Sequence, residues 1–160
     1  MNEVNSAPIL PARLDWPSAI GNFLMNFGAL HYLVIEHLNT SLEASEFARY
    51  KERPFKDQIM RIAQHLQQNP SAIEKQREFQ LLLNRLDAVR TLRNHIAHGH
   101  MLCRLDPASG SWVVSITLPK DLDVPYVAET VHLTFDELRT RLDELRELIE
   151  AFKRFAGITS

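Results

Sequence analysis

SAIEKQREFQLLLNRLDAVRTLRNHIAHG, residues 71–99, carries apolar side chains at Phe79, Leu82, Leu86, Val89, Leu92 and Ile96. Spacings of three and four place all six on one side of an α-helix, because 3.6 residues complete a turn. Ser71 and Glu74 have the separation of a capping box at its start, and Gly99 is a natural stop at its end. The pattern predicts one long helix with a continuous buried stripe. Its last turn and exit are Arg93-Asn94-His95-Ile96-Ala97-His98-Gly99.

Upstream, Ile20, Phe23, Phe27, Leu30, Val34 and Leu38 repeat the helical spacing, and Leu24, Leu33 and Ile35 add apolar surface beyond that face. A helix apolar almost all round belongs at the centre of a bundle. Gly21 and Gly28, seven apart, offer room for a neighbouring helix to approach. Thr40 and Glu43 have capping-box spacing for a short helix, and a further helix runs from Pro54 to Gln68, stopped by Pro70. Residues 1–14, with Pro8 and Pro11, lack periodicity and read as a mobile or extended lead-in.

Downstream, the period changes to two. Trp112, Val114, Ile116 and Leu118 alternate with Val113, Ser115 and Thr117, and Pro107-Ala108-Ser109-Gly110 supplies a turn back to 101–106, which makes a hairpin. Thr130 to Leu133 adds a third strand. Thr134 and Glu137 then cap a last helix bearing Leu138, Leu142, Leu145, Ile149 and Phe152, with Glu137/Arg141 and Glu150/Arg154 as exposed pairs four apart. The expected fold is mainly α: one domain over 15–157, a bundle of four to five helices. A small antiparallel hairpin or three-stranded sheet is inserted at about 101–133, before the last helix.

The chain has 160 residues, 45% of them hydrophobic, enough for a sizeable core. The start has neither a basic n-region nor an apolar h-region, and Asn22, Asn26 and His31 interrupt the most apolar window, so secretion and membrane spanning are not expected. Cys103 is the only cysteine, which rules out an internal disulfide and a thiolate metal cage and fits a reducing cytoplasm. A net charge of -2 argues against a protein that coats nucleic acid. Yet residues 85–104 hold Arg85, Arg90, Arg93 and Arg104 against Asp87 alone, a formal +3. A small positive patch on an acidic body suits capture of one phosphate.

Arg93 offers a planar guanidinium that can grip a phosphate through two hydrogen bonds, and His98 can exchange a proton near neutrality. Metal-free RNA cleavage needs those two functions. Five residues separate the pair by roughly 140° on an ideal helix, so they do not share a face, whereas Asn94 and His98 do. Two arrangements would bring Arg93 and His98 together: a distorted helix end, or a groove between two copies of the helix in a twofold dimer.

The run Arg93-Asn94-His95-Ile96-Ala97-His98, near the end of a long helix, resembles the arginine, four residues, histidine signature of the HEPN superfamily (higher eukaryotes and prokaryotes nucleotide-binding). The resemblance implies a helical bundle that dimerises around a composite cleft. In many members this is a metal-independent endoribonuclease used as a toxin or in phage defence, and some members are inactive scaffolds. It also implies Arg93 and His98 as the catalytic pair, Asn94 as the supporting polar group, RNA as substrate, a homodimer, and an antitoxin or other regulatory protein as partner. Arg90, His95, His100 and Arg104 are candidates for holding the substrate, although Arg90 follows Asp87 by three and can pair with it. The alternative is a non-catalytic nucleotide-binding or protein-interaction module using the same patch. His95, His98 and His100 could also be read as metal ligands, but no fourth ligand is evident, and no cofactor is expected. His31, His37, His65 and His132 read as packing or surface residues, His31 with a polar partner in the core or at a subunit interface.

Overall fold

A computed structural model describes residues 15–119 and 128–158; the lead-in expected at 1–14 lies outside them. The chain runs α1 (Trp16–Ser41), α2 (Ala44–Tyr50), α3 (Phe55–Gln67), a 3-10 turn (Pro70–Ala72), α4 (Ile73–His98), β1 (His100–Leu105), β2 (Trp112–Pro119), β3 (Ala128–Thr134) and α5 (Phe135–Ala156). The result is mainly helical, with a three-stranded antiparallel sheet in the order β1-β2-β3 before the last helix, as the periodicities predict.

α4 lies at the junction of the bundle, packed against α1, α3, α5 and β2. Phe79, Leu82, Leu86, Val89 and Ile96 are buried along one side of it. α1 contributes Phe23, Leu30, Val34 and Leu38, and α5 contributes Leu138, Leu145, Leu148, Phe152 and Phe155, all close to fully enclosed. Aromatic rings join these helices: Phe79 meets Phe155 at 5.1 Å and Phe27 of α1 meets Phe55 of α3 at 5.1 Å between centroids, inside the range for favourable ring pairs. By length and composition alone α1 also passes for a membrane-crossing helix. Here its apolar stripe is core.

The sheet keeps the expected alternation. Cys103 pairs with Val114, which pairs in turn with Leu133, and Met101 pairs with Ile116, which pairs with Val131; Val114, Ile116 and Leu133 face the helices and are buried. On the opposite face Ser115 bonds His132 at 2.9 Å and Thr117 bonds Thr130 at 3.0 Å. The hairpin turn is held by Asp106, whose carboxylate accepts from Ala108 N, Ser109 N and Ser109 Oγ, while Gly110 takes a positive φ of 67°.

Local capping departs from the sequence pattern in two places. α1 runs on through Thr40, whose hydroxyl bonds back to Glu36 O and His37 O, so α2 starts after Glu43 with no side-chain cap. Ser71 likewise does not cap α4; Asn69 accepts from Ser71 N at 3.2 Å and Ser71 Oγ at 2.6 Å, opening the 3-10 turn instead. The Thr134/Glu137 box is present in both directions. Because Glu137 is used there, Arg141 pairs with Glu144 at 2.8 Å, and Glu150 pairs with Lys153 at 2.8 Å. The ion pairs are three apart rather than four, and exposed pairs of this kind contribute little. Gly21 and Gly28 have nothing within 4 Å of a built Cβ among the described residues, so they do not mark a close helix approach within the chain.

His37 of α1 sits between Phe152 and Phe155, at ring distances of 6.0 and 5.1 Å. Burial, and then the charges of Lys75 and His65, push its pKa down to about 4 from 6.5. The unfolded chain takes up a proton there before the folded chain does, so stability present above pH 6.5 is lost as pH falls towards 4. The loss amounts to roughly 3 kcal/mol as an upper bound. Thermal melts across that window should show the decline in the wild type and a flatter profile in His37→Leu; parallel profiles would disprove the assignment.

Candidate functional site

α4 keeps its regular hydrogen bonding to the end, with Gly99 N donating to His95 O at 2.7 Å. Gly99 is the C-cap as expected, but its φ of -83° and ψ of 158° suit any residue. The reason for glycine is space. A Cβ would lie 2.5 Å from His95 O and 2.7 Å from Ile116 Cγ2, far inside van der Waals contact. The sheet therefore presses directly on the helix end, and β1 departs at once from the turn that carries His98.

Arg93 Nη1 donates to His98 Nε2 at 3.3 Å and to Asn94 Oδ1 at 3.3 Å. Neither a distorted helix nor a second protomer is needed for this contact: the long stem of Arg93 carries its guanidinium around a regular helix. That guanidinium lies 5.6 Å from the centre of the Phe27 ring, a cation–π distance. An arginine can only donate, so His98 Nε2 accepts and bears no proton in this contact. The ring is solvent-exposed and its basic nitrogen is already beside the cation. Among the described residues Arg93 meets no carboxylate; its neighbours here are an amide, an imidazole and an aromatic ring.

On the Arg93 side of the pair opens a hollow of about 360 Å³, lined by Arg90, Arg93 and Asn94 of α4, by Phe27 and His31 of α1, and by residues 52–56; His98 touches Arg93 but is not part of this lining. Arg53 and Lys56 join Arg90 and Arg93 at its wall, with Glu52 as the one opposing charge among the described residues. Arg90 is held by Asp87, as the spacing suggested, through Nε at 2.9 Å and Nη2 at 2.7 Å.

The other candidates stand apart. His95 is 2% exposed; its Nδ1 donates to Thr91 O at 2.9 Å, and it faces a separate, largely apolar hollow with Val89, Leu92, Val131 and Leu133. His100 and Arg104 are exposed on β1, beside Thr117 and Val113, and line no part of the Arg93 hollow. Among the described residues no three histidine, cysteine or acidic side chains gather as a ligand set, and His95 is buried whereas His98 is exposed.

No family model, curated protein or solved structure matches this chain. The residues themselves therefore carry the functional reading.

Sequence spacing did not point to His31, Arg53, Lys56 or Phe55 as neighbours of Arg93. One signal was present: Arg49, Lys51, Arg53, Lys56 and Arg61 against Glu52 and Asp57 make residues 49–61 a second basic stretch. The fold sets Arg53 and Lys56 of it beside Arg90 and Arg93 of the first. Gly99→Ala should cost about 1–3 kcal/mol through overpacking, seen as a fall of several degrees in the calorimetric midpoint; an unchanged midpoint would mean that β2 does not press on the helix end.

Proposed function

We propose that this chain is a metal-independent endoribonuclease of HEPN type, a cytoplasmic toxin or phage-defence component that cleaves RNA. The observation that carries the reading is the 3.3 Å contact between Arg93 Nη1 and His98 Nε2, with no carboxylate partner for the guanidinium among the described residues. Phosphate is the natural acceptor for that cation. Once Arg93 swings onto a non-bridging phosphate oxygen, His98 Nε2 is left unprotonated and free to take the proton of the ribose 2'-OH. The 2'-oxygen attacks phosphorus, the bond to the 5'-oxygen breaks, and the products are a 2',3'-cyclic phosphate and a 5'-hydroxyl. Arg93 offsets the charge that builds on the phosphoryl oxygens, and the Asn94 carboxamide steadies Arg93 by accepting from it. In this reading RNA strands lie across the cation-lined hollow, and a homodimer places two such patches on one particle without being required to complete either.

Purified protein should cleave single-stranded RNA in EDTA and leave cyclic phosphate ends. His98→Ala should reduce the rate roughly 10²- to 10⁴-fold, the range for a positioned acid/base group, and Arg93→Ala about 10²- to 10³-fold. In a bacterial host, induction of wild type but not His98→Ala should arrest growth with RNA breakdown. RNA left intact by the wild type, or cut equally by all three proteins, overturns the proposal.

A further inference from the structure

His31 of α1 lines the same hollow as Arg93 and Asn94, and its protonation chemistry is set by a buried neighbour. Gln58 of α3 is fully enclosed. Its amide nitrogen donates to Tyr50 O at 3.2 Å and to Lys51 O at 3.1 Å, which fixes which way the carboxamide faces. The amide oxygen therefore points at His31 and accepts, so His31 Nε2, 2.8 Å away, is the donor. That nitrogen keeps its proton whether the ring is neutral or charged. Nδ1 is consequently the atom that gains and loses a proton, and it has no hydrogen-bond partner among the described residues and is not buried. Phe55 edges the ring at 5.4 Å and Phe27 at 6.4 Å, holding its orientation. Arg93 packs over that same Phe27 ring.

We propose that His31 is a second proton-transfer group of this site, the general acid that protonates the departing 5'-oxygen, with Gln58 as its positioning residue. The inference rests on the ribonuclease reading above. Cleavage by 2'-OH attack needs one group to remove a proton and another to supply one, on opposite sides of the phosphorus. His98 holds an unprotonated Nε2 beside one edge of Arg93, and His31 meets the hollow through the ring on which Arg93 lies. In the balanced step, the 2'-OH proton passes to His98 Nε2, the bond from O2' to phosphorus forms, and the bond from phosphorus to O5' breaks. O5' takes the proton of His31 Nδ1 and leaves as a hydroxyl; solvent then restores both rings. The charged groups lining the hollow with His31 are, among the described residues, Arg90 and Arg93 from α4, Glu52 and Arg53 from the segment leading into α3, and Lys56 from the first turn of α3.

The test uses two single-stranded RNAs of one sequence, one with an ordinary linkage and one with a single 5'-bridging sulfur, which departs as a thiolate and needs no acid. With wild type, the rate on ordinary RNA should fall as pH rises and the donor loses its proton; that alkaline limb should be missing for the sulfur substrate. His31→Phe, which keeps the ring packing, and His31→Gln, which keeps a donor towards Gln58, should each cut ordinary RNA roughly 10²- to 10⁴-fold more slowly. Both should stay within about tenfold of wild type on the sulfur substrate, whereas His98→Ala should be slow on both. Equal pH profiles for the two substrates, or a loss in the His31 variants that is the same on both, overturn the acid role while leaving the ribonuclease reading in place. Failure of wild type to cut either RNA removes that reading and this inference together.

Discussion

Phe79, Leu86 and Ile96 lie along one side of α4 and have to leave water together, because a rigid helix cannot bury them one at a time. The surfaces that cover them come from distant parts of the chain: Phe23, Leu30 and Val34 of α1, Leu145, Phe152 and Phe155 of α5, and Ile116 of β2. Truncating one such phenylalanine typically costs about 3–5 kcal/mol, against a total stability of about 5–15 kcal/mol for a domain of ordinary size. The packing of this stripe therefore dominates the fold, and it fixes how α4 is rotated about its own axis. With one side committed to the core, Arg90, Arg93 and Asn94 are carried towards the hollow beside α1 and the segment leading into α3.

Charge on this surface is managed unevenly. Arg90 is held by Asp87, and the largely buried Arg61 is held by Glu46 at 2.6 Å. Arg61 also pulls the Glu46 carboxyl below its ordinary pKa by hydrogen bonding to it. Arg93 is treated differently, with neutral partners only among the described residues. In a chain of net charge -2, a half-exposed guanidinium with neutral partners beside Arg53 and Lys56 presents positive charge that an anion can meet. That open charge, together with a basic imidazole nitrogen at its edge, is what the proposed phosphate chemistry rests on.

The legible parts of the sequence were those governed by short-range geometry. The stripes of α1, α4 and α5, the alternation of β2, the turn at 107–110, the Thr134/Glu137 cap and the Arg90–Asp87 pair all follow from spacing. Capping was legible only where no stronger neighbour intervened: Thr40 was absorbed into α1, and Asn69 took the role expected of Ser71. At the site, Arg93, Asn94 and His98 could be named, but the 140° between arginine and histidine looked prohibitive because a helical wheel treats side chains as fixed spokes. A flexible stem and the face of Phe27 removed that obstacle. His95 was grouped with them through adjacency in sequence, yet neighbouring residues on a helix point about 100° apart, and this one turns into the core.

By itself, then, the sequence determined which segments are helices and strands, where the motif falls on α4, and that a local positive patch exists on an acidic chain. Each of these depends on residues a few positions apart, whose relative placement the backbone geometry dictates. Only the tertiary structure decided that His31 shares a hollow with Arg93, that Gln58 sets its tautomer, and that Arg53 and Lys56 meet Arg90 and Arg93. Those relations arise from how three helices pack, which depends on the fit of whole apolar surfaces and leaves no fixed spacing along the chain.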